Sequence, residues 1–408
     1  MDLAEGGPSW EVHPIRNYGG IVWRLLTVQG LVMFILWVPI WVVFLQRKGL
    51  SLTQIGVLEA FAWIITAALE VPTGVVADRW GRKASIAIGT SLYAVAMFLI
   101  LTDALSLPFL LGYALWNGSF AFVSGADSAL LYDSLQADGR ADEAARYQGR
   151  MNAIGLGSQG VAALAGSLVA TFDITLCFII SGVLALVATV LVLMVREPPR
   201  PVDAGEQPLT YWKNLSTAIG IAVRRPVVRV ILLVTAAFSV VPLIVYYFLL
   251  QPYALKVGLP LASLGVIVVL IQLTTVAASW LAHRVGRRFD LKAIATTSVL
   301  LLVVACVLLA LVPSVPAVAL MLVVALVPAL VGPLLSARIN DLIPSAQRAT
   351  ILSLSAVIAE LGTAGLVPLL LGLADLLTPA LAIGAAAVVF AAAVFPLLLL
   401  WRAADSLN

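Results

Sequence analysis

Between two long apolar runs the chain reads Gly74-Val-Val-Ala-Asp78-Arg79-Trp-Gly81-Arg82-Lys83. Two glycines, an acid and three basic groups within ten residues indicate that a membrane helix ends here, turns tightly and restarts. Gly74 allows a neighbouring helix to approach closely, and Gly81 permits a turn with positive φ. The basic groups are of the kind expected on the cytoplasmic side of a membrane. The stretch therefore predicts a short inward-facing loop between two spans.

The composition is that of a membrane protein. Of 408 residues, 62% are hydrophobic and 11% are charged, whereas a soluble protein has roughly 25% charged residues. In an apolar solvent the backbone must be satisfied within helices or a closed barrel. The apolar runs are continuous, without alternation, which favours helices. The net charge of +3 and the lack of a basic run give no indication of nucleic-acid binding.

Twelve apolar runs are long enough to span a bilayer, which takes roughly 20 residues. We number them as spans 1 to 12: 20–46, 52–76, 84–104, 107–135, 146–172, 175–195, 226–254, 259–282, 292–312, 316–342, 349–373 and 379–401. Short connections make consecutive helices antiparallel neighbours. The sequence thus predicts an all-α membrane protein with twelve transmembrane helices in two pseudo-symmetric six-helix halves.

The domain boundaries and the orientation follow from the loops. The prediction is an N-terminal tail (1–18), an N-terminal half (19–196), a linker (197–225), a C-terminal half (226–402) and a C-terminal tail (403–408). Of 24 Lys and Arg residues, only Arg47, Lys48 and Lys256 fall in outward loops. This asymmetry places both termini in the cytoplasm, and a bacterial inner membrane is the expected location.

The polar stretch resembles the loop between the second and third spans of the major facilitator superfamily of transporters. A weaker copy, Ala282-His283-Arg-Val-Gly-Arg-Arg288, lies in the second half, with His283 in place of the aspartate. The resemblance implies that spans 1, 4, 7 and 10 surround a central cavity and spans 2, 5, 8 and 11 complete its walls. Spans 3, 6, 9 and 12 face lipid in that fold, and their interiors contain no charged residue, which agrees with this layout.

In family terms the loop is a gating latch rather than a substrate site. Asp78 would face the start of span 11, where the partial positive charge of the helix attracts an anion. Arg82 would pair with Asp133 at the end of span 4. Both contacts are expected when the inner side is closed and are broken when it opens. The predicted latch residues are Gly74, Asp78, Arg79, Gly81, Arg82, Lys83 and Asp133.

Acids within the spans are the candidates for proton coupling, because a carboxylate there is costly and can take up and release a proton. Asp127 in span 4 is the first choice, with Glu70 in span 2 and Glu360 in span 11 as further candidates; a structural role is the alternative for each. Glu59 lies nearer the outer surface of span 2. A hydrated position in an outer vestibule is the favoured interpretation for it, and substrate contact is the alternative.

Three central spans carry candidate substrate contacts. In span 4 the spacing 3, 4, 4, 3 predicts one helical face, and aromatic rings above a carboxylate would suit an organic cation; packing against neighbouring helices is the alternative. The residues are Tyr113, Trp116, Phe120, Ser124 and Asp127 in span 4, Gln29, Met33 and Trp37 in span 1, and Tyr246, Tyr247 and Gln251 in span 7.

The predicted function is proton-coupled export of a small lipophilic or cationic organic compound by alternating access. No Lys or Arg falls at mid-membrane, so the cavity should be net negative and unsuited to anions. An importer or facilitator of a neutral solute is one alternative, and a non-transporting membrane receptor on the same fold is another. No enzyme motif, metal site or cofactor is expected; the proton gradient is the energy source. The expected partners are a small-molecule substrate, protons and the lipid bilayer, with the protein as a monomer.

Overall fold

The computed structural model describes residues 19–198, 219–220, 224–343 and 347–405, and for residues 19, 67, 70–79, 349 and 403–405 the backbone alone. The predicted tails at 1–18 and 406–408 and most of the predicted linker lie outside the described residues. We call the side with the connection between spans 2 and 3 the inner side, following the predicted orientation, and the opposite side the outer side.

Eight spans are continuous helices. They are span 2 (Leu52–Trp80), span 3 (Arg82–Leu99), span 5 (Ala144–Phe172), span 6 (Ile174–Leu193), span 8 (Ser263–Arg288), span 9 (Leu291–Leu311), span 11 (Arg348–Leu376) and span 12 (Pro379–Asp405). Between spans 2 and 3 the chain turns at Gly81 with φ 105°. The predicted positive φ at this glycine is thereby confirmed.

The four central spans are irregular. Span 1 consists of Gly19–Val32, a 3-10 turn at Val38–Ile40 and Trp41–Arg47; span 4 consists of Leu107–Val123 and Ala126–Ala137; span 7 consists of Pro226–Leu243, a π-helix at Ile244–Leu249 and Leu250–Lys256; span 10 consists of a 3-10 turn at Pro316–Ala319 and Leu320–Leu342. Spans 1 and 4 are thus each divided into two helical segments. Pro39, at the 3-10 turn of span 1, cannot donate a backbone hydrogen bond. Gly125, in span 4, has φ 78° and cannot continue a right-handed helix.

Helices of membrane-spanning length account for most of the fold. Within the described residues, nine helices are long and apolar enough to cross a membrane. The shorter apolar helices Gly20–Val32, Val38–Arg47 and Leu52–Thr66 belong to spans 1 and 2. Span 3 completes the twelve; its first residues are Arg82 and Lys83, which lower its mean hydropathy.

Packing within each half is extensive, and contacts between spans also join the halves. Span 3 packs on spans 4 and 6, and span 9 packs on spans 10 and 12. Span 2 packs along span 11, span 5 along span 8, and the outer segment of span 1 contacts the outer segment of span 7. These contacts hold the two halves together in this structure.

Candidate transport site

A buried carboxylate lies where spans 1, 2 and 4 meet. The side chain of Glu59 in span 2 is only 4% exposed. Its Oε1 accepts hydrogen bonds from Trp41 Nε1 at 2.7 Å and from the Tyr113 hydroxyl at 2.6 Å. The interpretation of Glu59 as a hydrated vestibule residue is wrong, because the outer segment of span 1 and span 4 pack directly over it.

Six aromatic rings pack around this carboxylate, and we call them the aromatic cluster: Trp37, Trp41 and Phe44 of span 1, Tyr113 and Trp116 of span 4, and Phe178 of span 6. The centroid of the Trp116 ring lies 4.8 Å from those of both Trp37 and Trp41, close to edge-on. Edge-to-face pairs at such distances are stabilising. Tyr113, Trp116 and Trp37 are all buried, so packing is the better description of these three predicted substrate contacts.

The polar edges of the aromatic cluster are only partly paired. Trp37 Nε1 donates to the hydroxyl of Tyr93 in span 3 at 2.9 Å. Trp116 Nε1 is buried, and no acceptor for it occurs within the described part of the protein. Tyr93 was not among the predicted residues. Its signal was available, since a tyrosine in a lipid-facing span is expected to find a buried partner for its hydroxyl.

The break in span 4 determines the surroundings of Asp127. The first helix ends at Val123, Ser124 and Gly125 form a turn, and Asp127 lies in the first turn of the second helix. Its Oδ1 accepts from Ser128 N at 2.6 Å, and its side chain is half-buried. The predicted single face through span 4 is therefore wrong beyond Phe120. The turn leaves Ser124 exposed and places Asp127 in the first turn of a separate helix.

The break in span 1 separates the predicted residues of that span. Gln29 lies in the inner helix, Met33 lies just after it, and Trp37 belongs to the aromatic cluster. Met33 Sδ accepts from Gln159 Nε2 at 3.4 Å, and Gln159 Oε1 accepts from Gln272 Nε2 of span 8 at 3.3 Å. This polar chain crosses from one half to the other. The two glutamines were missed, although single amides within apolar runs are a usable signal.

Span 7 places its predicted residues in two environments. Tyr246 and Tyr247 lie in the π-helix and are half-buried. Such π-helical turns are frequent at functional sites. Gln251 is buried, and its amide is used by the backbone of span 1. Of the three, the two tyrosines stay candidates for substrate contact.

The inner end of the N-terminal half holds the described part of the predicted latch. Arg82 forms an ion pair with Asp133, as predicted, and also donates to the carbonyl of Ala129 at 2.7 Å. The Glu197 carboxylate accepts from Arg82 N at 2.8 Å and from Lys83 N at 3.3 Å, at the start of span 3. Sequence reasoning missed Glu197, because it treated this residue as the beginning of a linker.

The other predicted inner residues are placed less completely. Glu360 is half-buried in the middle of span 11. Glu70, Gly74, Asp78 and Arg79 lie outside the residues whose side chains are described. The roles of these residues stay predictions.

One open groove lies apart from the candidate residues. It has a volume of about 510 Å³ and runs between spans 1, 5 and 6. Its walls are mainly apolar and include Trp23, Phe34, Ile154 and Leu184. None of the predicted substrate contacts lines it.

Comparison with known proteins agrees with the twelve-span architecture. The family model described as Major Facilitator Superfamily matches residues 23–327, well over half of the chain. An uncharacterized MFS-type transporter of Bacillus subtilis (strain 168), YxaM, is 36% identical over 113 residues, a match that covers 26% of this chain and 26% of that protein.

Solved transporter structures share the fold at low identity. The nucleoside transporter NupG superimposes with a TM-score of 0.76 at 14% identity, covering 96% of this chain and 99% of that one. A D-xylose-proton symporter gives a TM-score of 0.67 at 14% identity, covering 95% and 98%. These two structures support the fold alone. The family match itself assigns the chain: it belongs to the Major Facilitator Superfamily and is a multi-pass membrane transporter rather than an enzyme.

Proposed function

We propose that this transporter exports a small lipophilic or cationic organic compound in exchange for protons. The observation that carries the proposal is the state of the carboxylates in spans 2 and 4. Within the described residues, neither Asp127 nor Glu59 forms an ion pair. A carboxylate without a fixed cation can bind either a proton or a cationic substrate, and competition between the two couples their movements.

Asp127 is the better placed of the two for proton exchange. It lies beside the turn at Ser124 and Gly125, and both of these residues are exposed. Glu59 is enclosed by Trp41 and Tyr113 and has no comparable access. We therefore assign the proton to Asp127, with Glu70 and Glu360 as further candidates, and assign the substrate contacts to Phe120, Tyr246 and Tyr247.

The expected negative charge of the cavity supports the proposed substrate class. In the described spans the Lys and Arg side chains lie near helix ends, as Arg24, Arg150, Arg229 and Arg338 illustrate. A cavity with carboxylates and no basic group at its centre disfavours phosphate esters and dicarboxylates. Organic cations and neutral lipophilic compounds are compatible with it.

The proposal also includes location and orientation. The distribution of Lys and Arg favours both termini in the cytoplasm, in the plasma membrane of a bacterium. The protein works as a monomer whose energy source is the proton gradient. The Bacillus relative is compatible with a bacterial source.

The test is a flux measurement in vesicles that contain a pH-sensitive dye. Wild type, Asp127→Asn and Asp290→Asn are reconstituted, and lipophilic cations and neutral compounds are added under an imposed proton gradient. Asp290 is the control, because its side chain only accepts from the backbone at the start of span 9, which asparagine also does. We expect compound-dependent proton flux in wild type and the control and a loss of at least tenfold in Asp127→Asn.

The other outcomes discriminate between the alternatives. Substrate flux without proton flux in all three proteins would identify a facilitator of a neutral solute. Unchanged coupling in Asp127→Asn would remove Asp127 as the proton carrier. A lack of any substrate flux would favour the non-transporting receptor.

A further inference from the structure

Two helices in the outer part of the N-terminal half begin next to the C-terminal half, and their first backbone N–H groups need acceptors. These are the outer segment of span 1, which starts at Trp41, and span 2, which starts at Leu52. The first N–H groups of a helix have no partner within the helix. A side chain immediately before the helix often supplies the acceptor.

For span 2, a side chain of the opposite half accepts from the first two backbone N–H groups. Both carboxylate oxygens of Asp375, near the end of span 11, are used: Leu52 N donates at 3.1 Å, Thr53 N at 2.6 Å and the Thr53 hydroxyl at 2.8 Å. The local cap, Ser51, accepts only from Gln54 N. The start of span 2 is therefore shared between its own cap and a carboxylate from the other half.

For the outer segment of span 1, the acceptor also comes from the opposite half. Ile40 occupies the cap position and offers no side-chain acceptor. Gln251 Oε1 accepts instead from Val42 N at 2.8 Å and from Val43 N at 3.3 Å. Its Nε2 donates to the carbonyl of Val38 at 3.2 Å. Gln251 thus makes the bonds of a cap from a position 209 residues away in the chain.

The junction of spans 2 and 11 is closely packed, which fits a closed outer side. A Cβ at Gly56 of span 2 would come within 2.7 Å of the Cα of Pro368 in span 11. Leu371 of span 11 is fully buried beside Gly56. At the junction of spans 5 and 8, the hydroxyl of Ser167 donates to the carbonyl of Ala262 at 3.0 Å.

We infer that Asp375 and Gln251 are the outer gate of the transporter. Each side chain belongs to the C-terminal half and caps a helix of the N-terminal half, so the halves separate at the outer side only when both caps release. Release exposes the helix starts to water, which replaces the caps incompletely. The two residues therefore bias the protein toward the outward-closed state whatever the substrate and the direction of transport.

The bias is measured by the accessibility of a buried position at the gate. In a background of Cys177→Ala and Cys306→Ala, Leu371→Cys reports opening through its rate of reaction with a membrane-impermeant maleimide added from outside. When opening is rare, this rate is proportional to the outward-open population. Loss of a helix cap costs on the order of 1 kcal/mol, a factor of about 5 in an equilibrium.

We expect Asp375→Ala and Gln251→Met each to raise the labelling rate about fivefold, and the double variant to raise it more than either. Asp375→Asn keeps acceptor oxygen and should stay closer to wild type than Asp375→Ala. The matched control is Asp173→Ala, which removes an outer-side cap whose bond to Thr175 N, at 2.8 Å, remains within one helix. Its labelling rate should not change.

Two results would overturn the inference. One is a labelling rate equal to that of wild type in both single variants, Gln251→Met and Asp375→Ala, provided that their thermal unfolding transitions show both proteins to be folded. The other is an equal increase in Asp173→Ala, which would make the effect a general consequence of lost caps. If Asp375→Ala fails to fold, Gln251→Met decides the question alone, and a wild-type labelling rate in that variant would overturn the inference.

Discussion

The inner and outer ends of the N-terminal half are held together in different ways. At the inner end, Arg82, Asp133 and Glu197 bind one another or the start of span 3, all within the same half. At the outer end, the helix starts are bound by Asp375 and Gln251 from the other half. The difference indicates which contacts can persist throughout the proposed alternating-access cycle. Bonds within one half can move with it as a rigid body, whereas bonds between halves have to break in each cycle.

The largest expected effect comes from preventing outer closure. Leucine at Gly56 would collide with the backbone of span 11 at Pro368. We expect Gly56→Leu to disfavour the outward-closed state by about 1–3 kcal/mol and to reduce flux by roughly tenfold or more. Spin labels at Leu107→Cys and Leu311→Cys, on the outer ends of spans 4 and 9, should report a longer distance in Gly56→Leu than in the protein with Gly56. Gly365→Leu is the control, since a Cβ there meets nothing within 4 Å; equal effects in both variants would contradict the role of the junction.

The next effect tests the carboxylate beneath the outer segment of span 1. Glu59→Ala removes the acceptor for two buried donors, Trp41 Nε1 and the Tyr113 hydroxyl. We expect it to lower the free energy of unfolding by about 2–3 kcal/mol. Glu59→Gln keeps a carbonyl acceptor and should lose clearly less. Thermal unfolding in detergent measures both, and identical losses would show that the hydrogen bonds at Glu59 contribute little.

A smaller effect is expected at the inner end, and it sharpens the comparison most directly. The Arg82–Asp133 pair is partly exposed, so its coupling energy should be about 1–2 kcal/mol, between values typical of exposed and buried pairs. A double-mutant cycle with Arg82→Gln and Asp133→Asn measures this energy from thermal stability. Because the pair lies within one half, its loss should leave the labelling of Leu371→Cys from outside unchanged. A change in that rate would mean that the inner pair also controls the outer side.

The smallest effect is expected at Lys48, on the outer loop after span 1. Its Nζ donates to the carbonyls of Leu101 and Thr102 beyond the end of span 3, within one half, and lies 5.3 Å from the centre of the Phe44 ring. We expect Lys48→Met to cost less than about 1 kcal/mol of unfolding free energy and to leave flux intact. Arg47→Met is the neighbouring control. A large loss of flux would show that an outer contact within one half also matters for gating.

The sequence predicted the number and order of the spans, because each depends on an apolar run of sufficient length. It also predicted the Arg82–Asp133 pair, since both residues lie at inner ends of spans in the same half and the family motif connects them. The breaks in spans 1 and 4 were missed although their signals, Pro39 and Gly125, are present. Long apolar runs outweighed these local residues in the reading of the sequence.

The gate could not be predicted in the same way. Gln251 appears in the sequence as a polar residue on a central span, and a substrate contact was the natural interpretation. Its partners lie 208 and 209 residues away, and they are backbone groups that are free only because span 1 is interrupted before them. Asp375 was missed for a related reason. A single acid near a helix end looks like a solvated surface residue until the partner helix is placed.

The turn at Ser124 and Gly125 divides span 4 into an outer and an inner helix. Beyond it, the twelve-residue segment Ala126–Ala137 is attached to span 3 through Asp133 and the carbonyl of Ala129, both held by Arg82. Asp127 is carried on the same segment. The proposed proton site and the contact with the inner loop therefore lie on the same helical segment. A displacement of the inner loop would therefore move Asp127 with it, whereas the outer part of span 4 is packed in the aromatic cluster.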